Sequence, residues 1–505
     1  MKLARGTRPN IVVIMIDTLR ADHLSCYGYG RSTSPCIDRI AETGVVYENA
    51  ISPAAWTVPS HASLFTGTYP SRHGVDRSHL ALGSDLIPLP EALRRHGYRT
   101  FGISSNYWLS RETRFDRGFD HFVHGWQIVQ TRGGNAPLER QQRKANMSAA
   151  DGAFEQGHAW LHTCGNMLND LFERTTRTMR RSFHMYDDGA WRVNSVVGRW
   201  MADWKRLEEP FFAFIHYLEP HLRYAAPGGY RTRHLPRGVG DGRIAKVNQD
   251  FTRYITGRVE MTEEDFAILD GLYDGEISYV DFRVGQLHSA LKEQGLLDNT
   301  VVVITSDHGE NIGEHHLMDH VFCLYDTVLR VPLVVCGSPE FRRGERVTAP
   351  VQTLDLFPTI LNLAGIQDEE LRSQVQGHSI FPSDVRAQSE RPIISEYLEP
   401  EPPVAVLQKR FPDADVSKFD RTLRAVRAGR YKYIWASDGR DELYDLEGDP
   451  GEERNILSVE AVKVDELRAA LDKWLTSFTH SGLPQEEIEL EALTRKRLED
   501  LGYLS

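Results

Sequence analysis

Apolar positions in this chain come in solid blocks more often than in alternation. Asn10-Ile-Val-Val-Ile-Met-Ile-Asp17 is a continuous apolar run ending on a carboxylate, the pattern of a parallel-sheet strand buried on both faces. Thr300-Val-Val-Val-Ile-Thr-Ser-Asp307-His308 repeats it. Further strands are predicted at Tyr98–Ser104, Phe211–Tyr217 and Val331–Cys336, with helical stretches at Leu89–His96 and Phe266–Gln294 between them. This order predicts an α/β fold: a doubly wound, mostly parallel sheet flanked by helices, with ligands at the carboxyl ends of its strands. From about Arg391 the texture changes to short strand candidates at Pro392–Tyr397, Arg424–Ala428 and Tyr431–Trp435, then a charged helix at Val459–Phe478. We read residues 1–388 as a large domain and 389–505 as a smaller α+β subdomain.

The strand signal vanishes between Thr131 and Trp204. Within that stretch Leu161, Leu168, Leu171, Phe172 and Met179 recur at helical spacing beside Arg174, Arg177, Arg180 and Arg181. An inserted amphipathic helix is expected, either packed on the domain or acting as a lid or homo-oligomer contact.

Composition narrows the classes. At 505 residues, 41% hydrophobic and 26% charged, the chain has a soluble, globular composition. Its 59 Lys and Arg against 71 Asp and Glu leave a net charge of -12, so nucleic-acid binding driven by bulk charge is disfavoured. No run approaches the about 18 apolar residues of a transmembrane segment, and the basic lead-in before Asn10 has no apolar core of its own. A cytoplasmic protein is expected, or a secreted one if the chain is already processed. Five cysteines without CxxC spacing argue against a disulfide framework.

Candidate chemistry collects at the strand ends. Asp17 and Asp307-His308 would meet in one crevice if their strands are neighbours, and two carboxylates with an imidazole make a divalent-metal site. Trp56-Thr57-Val-Pro59-Ser-His61 reads as a helix start with Thr57 in the cap position. A helix N-terminus favours a bound anion, and a metal beside Thr57 would turn its weakly acidic hydroxyl into a nucleophile.

Several segments together resemble one family. Asn10–Asp17, Thr57-Val-Pro-Ser-His61, Thr66-Gly-Thr-Tyr-Pro-Ser-Arg-His-Gly74, Pro220-His221, Tyr273–Asp281, Ser306-Asp-His-Gly-Glu310 and Glu442-Leu-Tyr-Asp-Leu446 look like the sulfatase branch of the alkaline phosphatase superfamily. The resemblance spans nearly the whole chain and implies a metal-dependent hydrolase or transferase of phosphate or sulfate esters. The departures from the family pattern are specific. Thr57 stands where sulfatases carry the Cys or Ser converted to formylglycine, and His61 stands at the arginine of that motif. Asp17-Thr18 replaces a pair of aspartates, and Asp307-His308 replaces Asp-Asn. A histidine ligand shifts the set from all-oxygen, which suits calcium, toward manganese or zinc. The Gly-Lys-Trp-His segment is absent, with Ser104-Ser-Asn106-Tyr in that neighbourhood.

The resemblance therefore implies one divalent ion, Mn²⁺ or Zn²⁺ before Ca²⁺, held by Asp17, Thr57, Asp307 and His308, and no formylglycine. It makes Thr57 the nucleophile of a phosphodiesterase or phosphotransferase working through phosphothreonine on a small-molecule or headgroup ester. By the same resemblance His221 protonates the leaving oxygen, and His320 neutralises the bound anion, with His315 and His316 competing for that role. Asn106, His61 and Arg223 are expected to contact substrate. The alternatives are a sulfatase acting without formylglycine and a catalytically silent binding protein.

Overall fold

The computed structural model describes residues 8–125, 187–387 and 391–478. Its main sheet is built from β1 (Asn10–Ile16), β2 (Gly44–Ile51), β3 (Arg99–Ser104), β4 (His121–His124), β5 (Phe211–Tyr217), β6 (Thr300–Thr305), β7 (Arg330–Cys336), β8 (Glu345–Val347) and β9 (Val351–Gln352). The strand order is β8-β2-β7-β6-β1-β5-β3-β4, with β9 pairing β2. β1 lies at the centre, parallel to β5 and to β6. β7 is the strand that breaks the parallel pattern, running antiparallel to β2 and β6. The result is a mostly parallel sheet with helices on both faces.

The apolar block of β1 follows from that double cover. Ile11, Val13 and Met15 belong to one core, and Val12, Ile14 and Ile16 to the other. Alternate side chains leave opposite faces of a strand, so a strand covered twice needs apolar residues at every position. Helix α1 (Thr57–Thr66) lends Val58, Ala62 and Phe65 to the first core. Helix α2 (Ala190–Trp204) and the long helix α3 (Glu263–Glu293) cover the second with Val193, Val197, Ile268, Leu272 and Ile277. α3 starts three residues before the predicted Phe266, because Thr262 and Asp265 form a reciprocal capping box.

The C-terminal unit is a separate antiparallel sheet of β10 (Ile393–Tyr397), β11 (Leu423–Ala428), β12 (Tyr431–Ala436) and β13 (Glu442–Asp445) in sequence order. Helix α4 (Ala461–Leu475) packs Val464, Leu467 and Leu471 against Ile394, Val426, Tyr433 and Leu443. The expected smaller C-terminal α+β unit is thus present.

Three expectations change. β2 was not foreseen: a bulge between Tyr47 and Ala50 leaves Glu48 and Asn49 partly exposed and breaks its apolar run. Val331–Cys336 is a strand of the expected length but of opposite direction, which periodicity cannot tell. The helix expected at 160–183 lies outside the described residues, while the end of that strand-free stretch is α2. Among the described residues no helix is long and apolar enough to cross a membrane, and Cys26, Cys36, Cys323 and Cys336 are free thiols.

Candidate active site

The register of the central strands brings the first two carboxylates together. Met15 pairs with Thr305 across β1 and β6, so Asp17 and Asp307 leave the sheet side by side. Thr18 takes a left-handed φ of 56° and turns the chain away at once. That turn is held from three sides: the Thr18 N–H donates to Asp307 Oδ1 at 3.3 Å, Leu19 N–H to Ser306 Oγ at 2.9 Å, and the Tyr273 hydroxyl to the Thr18 carbonyl at 2.6 Å. Asp17 Oδ1 and Asp307 Oδ2 remain buried without hydrogen-bond partners.

Helix α1 aims its first residue at those oxygens. The cap position belongs to Trp56, and Thr57 is the first helical residue, which corrects the expectation of Thr57 as cap. Its hydroxyl caps nothing and lies 3.3 Å from His308 Nε2, with Asn106 Nδ2 donating to it at 3.4 Å. Asn106 Nδ2 also donates to Asp17 Oδ2 at 2.7 Å. Ser60, one turn along, donates its hydroxyl to the Asp307 carbonyl at 2.7 Å and fastens α1 to the end of β6.

His308 completes the group. Its Nδ1 lies 3.0 Å from the Gly309 carbonyl, which assigns the proton to Nδ1 and leaves a lone pair on Nε2. Nε2 is 3.3 Å from Thr57 Oγ1, 3.4 Å from Asp307 Oδ2 and 3.7 Å from Asp17 Oδ1. Ligands about 2.1 Å from a tetrahedral cation lie about 3.4 Å apart, so these separations and the two bare oxygens fit a small divalent ion. The electrostatics agree. Burial, then the Asp17 charge, push the Asp307 carboxyl up to about 6. Burial also acts on Asp17, but His216, His221 and His308 overrule it and hold that carboxyl well below the usual range. Burial, then His320, lower His308 to about 3, so it is a neutral imidazole able to act as a ligand.

A second polar group borders this one. His320 Nδ1 is 2.9 Å from Asp319 Oδ1 and 3.3 Å from Glu310 Oε1. Burial lowers its pKa, but Asp319 and Glu310 outweigh that and raise it well above the usual value, making His320 an imidazolium. Its ring centre is 4.3 Å from that of His308 and 5.2 Å from that of His221. His221 is half-buried and donates Nδ1–H to the Leu222 carbonyl at 2.7 Å. Of the competing histidines, His315 stacks on Tyr325 at 3.6 Å and His316 is exposed; His320 is the one beside the centre.

The structure thus gathers Asp17, Thr57, Asn106, Asp307 and His308, with His221 and His320 alongside. Arg223 is exposed on the following loop. His61 is fully buried beneath the first turn of α1, its ring turned to the Thr57 carbonyl and to Asp307. Sequence reasoning did not single out His216, Glu310 or Asp319. His216 had a signal, an imidazole inside Phe211-Phe-Ala-Phe-Ile-His216-Tyr, where a buried strand spends no polar residue without a partner.

Comparison with known proteins agrees with this architecture. The family model described as "Sulfatase" matches residues 9–366, and that of "N-sulphoglucosamine sulphohydrolase, C-terminal" matches 313–481. Choline-sulfatase of Rhizobium meliloti is 26% identical over 465 residues, 89% of this chain and 82% of that protein. N-acetylglucosamine-6-O-sulfatase of Bacteroides thetaiotaomicron is 23% identical, over 98% of this chain and 91% of that one. In fold, the phosphonate monoester hydrolase of Agrobacterium radiobacter superposes with a TM-score of 0.65 at 21% identity, covering 93% of this chain and 95% of its own.

Proposed function

The chain belongs to the sulfatase family, and from that premise we propose that it cleaves a phosphoryl ester with the Thr57 hydroxyl as nucleophile. The observation that carries the proposal is the placement of Thr57 Oγ1, 3.3 Å from His308 Nε2 and facing the bare oxygens of Asp17 and Asp307. Family membership makes the chain an ester hydrolase and sets aside the silent binding protein.

Sulfatases generally bind a divalent metal, and Asp17, Asp307, His308 and the Thr57 hydroxyl are the residues that would hold it here. Bound there, a Mn²⁺ or Zn²⁺ ion lowers the hydroxyl pKa and offsets charge developing on the transferred group. The chain's own residues do the rest. Asn106 Nδ2 and the His320 imidazolium bind the non-bridging oxygens. Thr57 Oγ1, its proton lost to solvent once its pKa is lowered, attacks phosphorus in line; the P–O bond to the leaving group breaks, and that oxygen takes a proton from His221. His221 then accepts a proton from the water that attacks the phosphothreonine, the P–Oγ1 bond breaks, and Thr57 is regenerated; a diester substrate leaves as a phosphomonoester. An alcohol in place of that water gives transfer.

The second reading is a sulfuric ester. The names of the curated relatives favour it over the phosphodiesterase reading, since both quoted relatives are sulfatases. Against it stands Thr57, which lacks the chemistry of formylglycine and would have to carry sulfate itself. The test is turnover of matched aryl phosphodiester, phosphonate monoester, phosphomonoester and sulfate by metal-stripped protein refilled with Mn²⁺, Zn²⁺ or Ca²⁺. Phosphoryl turnover that needs Mn²⁺ or Zn²⁺ and disappears in Thr57→Ala supports the first reading. Preference for the sulfate establishes the second.

A further inference from the structure

Beneath the centre just described lies a second set of ligand atoms that the reaction does not use. His61 sits one helical turn after Thr57, on the same side of α1. Its Nδ1 donates to the Thr57 carbonyl at 2.8 Å, which fixes the ring and leaves Nε2 with a lone pair and no partner. His216 comes from β5, where its pairing with Met15 sets it beside the end of β1. Neither of its ring nitrogens has a hydrogen-bond partner, and Nε2 stands 3.5 Å from Asp17 Oδ2. The two rings are 5.3 Å apart, and both residues are fully buried. One nitrogen from each ring and one Asp307 carboxylate oxygen all lie within 4.8 Å of one another.

We propose that His61, His216 and Asp307 hold a second divalent transition-metal ion, with the Asp307 carboxylate shared between it and the ion at Asp17, Thr57 and His308. Asp307 is built to be shared. Its Oδ1 is taken by the N–H groups of Thr18 and His308, whereas Oδ2 has no hydrogen-bond partner; it lies 3.4 Å from His308 Nε2 and has the His61 ring beside it, whose Nδ1–H, 3.6 Å away, belongs to the Thr57 carbonyl and whose Nε2 is the free ligand atom. Buried polar atoms in folded proteins almost always find partners; here His61 Nε2 and His216 Nδ1 have none, and His216 Nε2 has only the Asp17 carboxylate at 3.5 Å. Two imidazoles and a carboxylate select Zn²⁺ or Mn²⁺ over Ca²⁺ or Mg²⁺. The ion would lie away from solvent, where it keeps Asp17 and Asp307 both ionised beneath the nucleophile. The assignment goes beyond the proposed reaction and is the same for a phosphoryl or a sulfuryl ester.

The test is metal content of the full chain, by elemental analysis after metal stripping and saturation with Mn²⁺ or Zn²⁺. Two ions per chain are expected in the wild type, and one in His216→Gln and in His61→Gln. In the Mn²⁺ form, electron paramagnetic resonance should show an exchange-coupled pair in place of the pattern of an isolated ion. One ion per wild-type chain at saturation, or two retained by both variants, overturns the proposal. One ion in the wild type overturns the assignment even if those variants do not fold, and because Glu310, Asp319 and His320 form another buried group of ligand atoms, His320→Gln is the further check: two ions retained support the site at His61 and His216, and loss of one overturns it. Because no substrate enters the measurement, a chain that binds two ions but turns over no ester refutes the reaction proposed above and leaves this site standing.

Discussion

Two clusters of largely buried charge in this molecule have opposite chemistry. Where the C-terminal sheet meets the large domain, the Lys432 ammonium lies 2.7 Å from Asp326 Oδ1 and 2.7 Å from Glu452 Oε1, with the Arg427 guanidinium 3.5 Å from Asp326 Oδ2. Burial lowers the Lys432 pKa, but Asp326 and Glu452 more than reverse that, and the ammonium stays charged. At the end of the central strands, Asp17 and Asp307 lie beside the neutral imidazole of His308, and each keeps a bare oxygen. In the first cluster each carboxylate has a cation within 3.5 Å, although burial still pushes Glu452 up to about 7. In the second, burial and the neighbouring Asp17 charge make ionisation of Asp307 costly in the folded chain. The difference between them separates a cluster that holds the fold from one that awaits a ligand.

The comparison breaks most visibly at Thr57. Thr57→Ala should lower kcat by at least about 10⁴-fold with metal content held by Asp17, Asp307 and His308, whereas Thr57→Ser should retain turnover; single-turnover kinetics beside elemental analysis check both. In the paired cluster the same kind of change should act on stability. Lys432→Ala leaves two buried carboxylates without their cation and should cost about 3–5 kcal/mol, with Lys432→Met costing less than Lys432→Ala. Urea unfolding curves measure this.

Removing metal sharpens the contrast, since it should destabilise the chain by about 3 kcal/mol at a free ion concentration near 100 times Kd. The loss should depend on pH in a stated direction. The Asp307 carboxyl is raised to about 6 in the folded, metal-free chain, so its penalty is full above that pH and fades as pH falls toward the unfolded value of about 4. Thermal unfolding with and without chelator should therefore show a smaller gap near about pH 5 than near about pH 7.5. Asp319, whose carboxyl His320 holds down at about 2 against the effect of burial, behaves oppositely. It contributes stability above about pH 4 that is lost as pH falls through about 2, and Asp319→Asn should remove that dependence. The smallest effect is expected at exposed Arg223, where Arg223→Ala should raise KM about threefold with kcat unchanged if the guanidinium meets a second anionic group.

Much of this was legible in the linear chain because it rests on local rules. A strand buried on both faces must be apolar at every position, so β1 and β6 announced themselves, and the carboxylates ending them marked the sheet's ligand edge. The proline and small residues after Trp56 announced α1. The direction of β7 was not legible, since apolar content is blind to strand polarity. β2 was hidden by the bulge that exposes Glu48 and Asn49. His61 is expected among substrate contacts because it stands at the arginine of the family motif; its burial depends on β5, more than a hundred residues away.

The sequence by itself determined the strands β1, β3, β5, β6 and β7, that Asp17, Asp307 and His308 stand at strand ends, and that Thr57 opens a helix. These follow from side-chain periodicity and backbone preference, which act over a few residues. Only the tertiary structure decided which buried groups would find partners. Lys432 reaches Asp326 and Glu452, whereas His61 and His216 reach each other and Asp307 with their lone pairs unspent. Pairing inside a protein is set by distances between segments remote along the chain, fixed by strand order and register, and no local rule contains them.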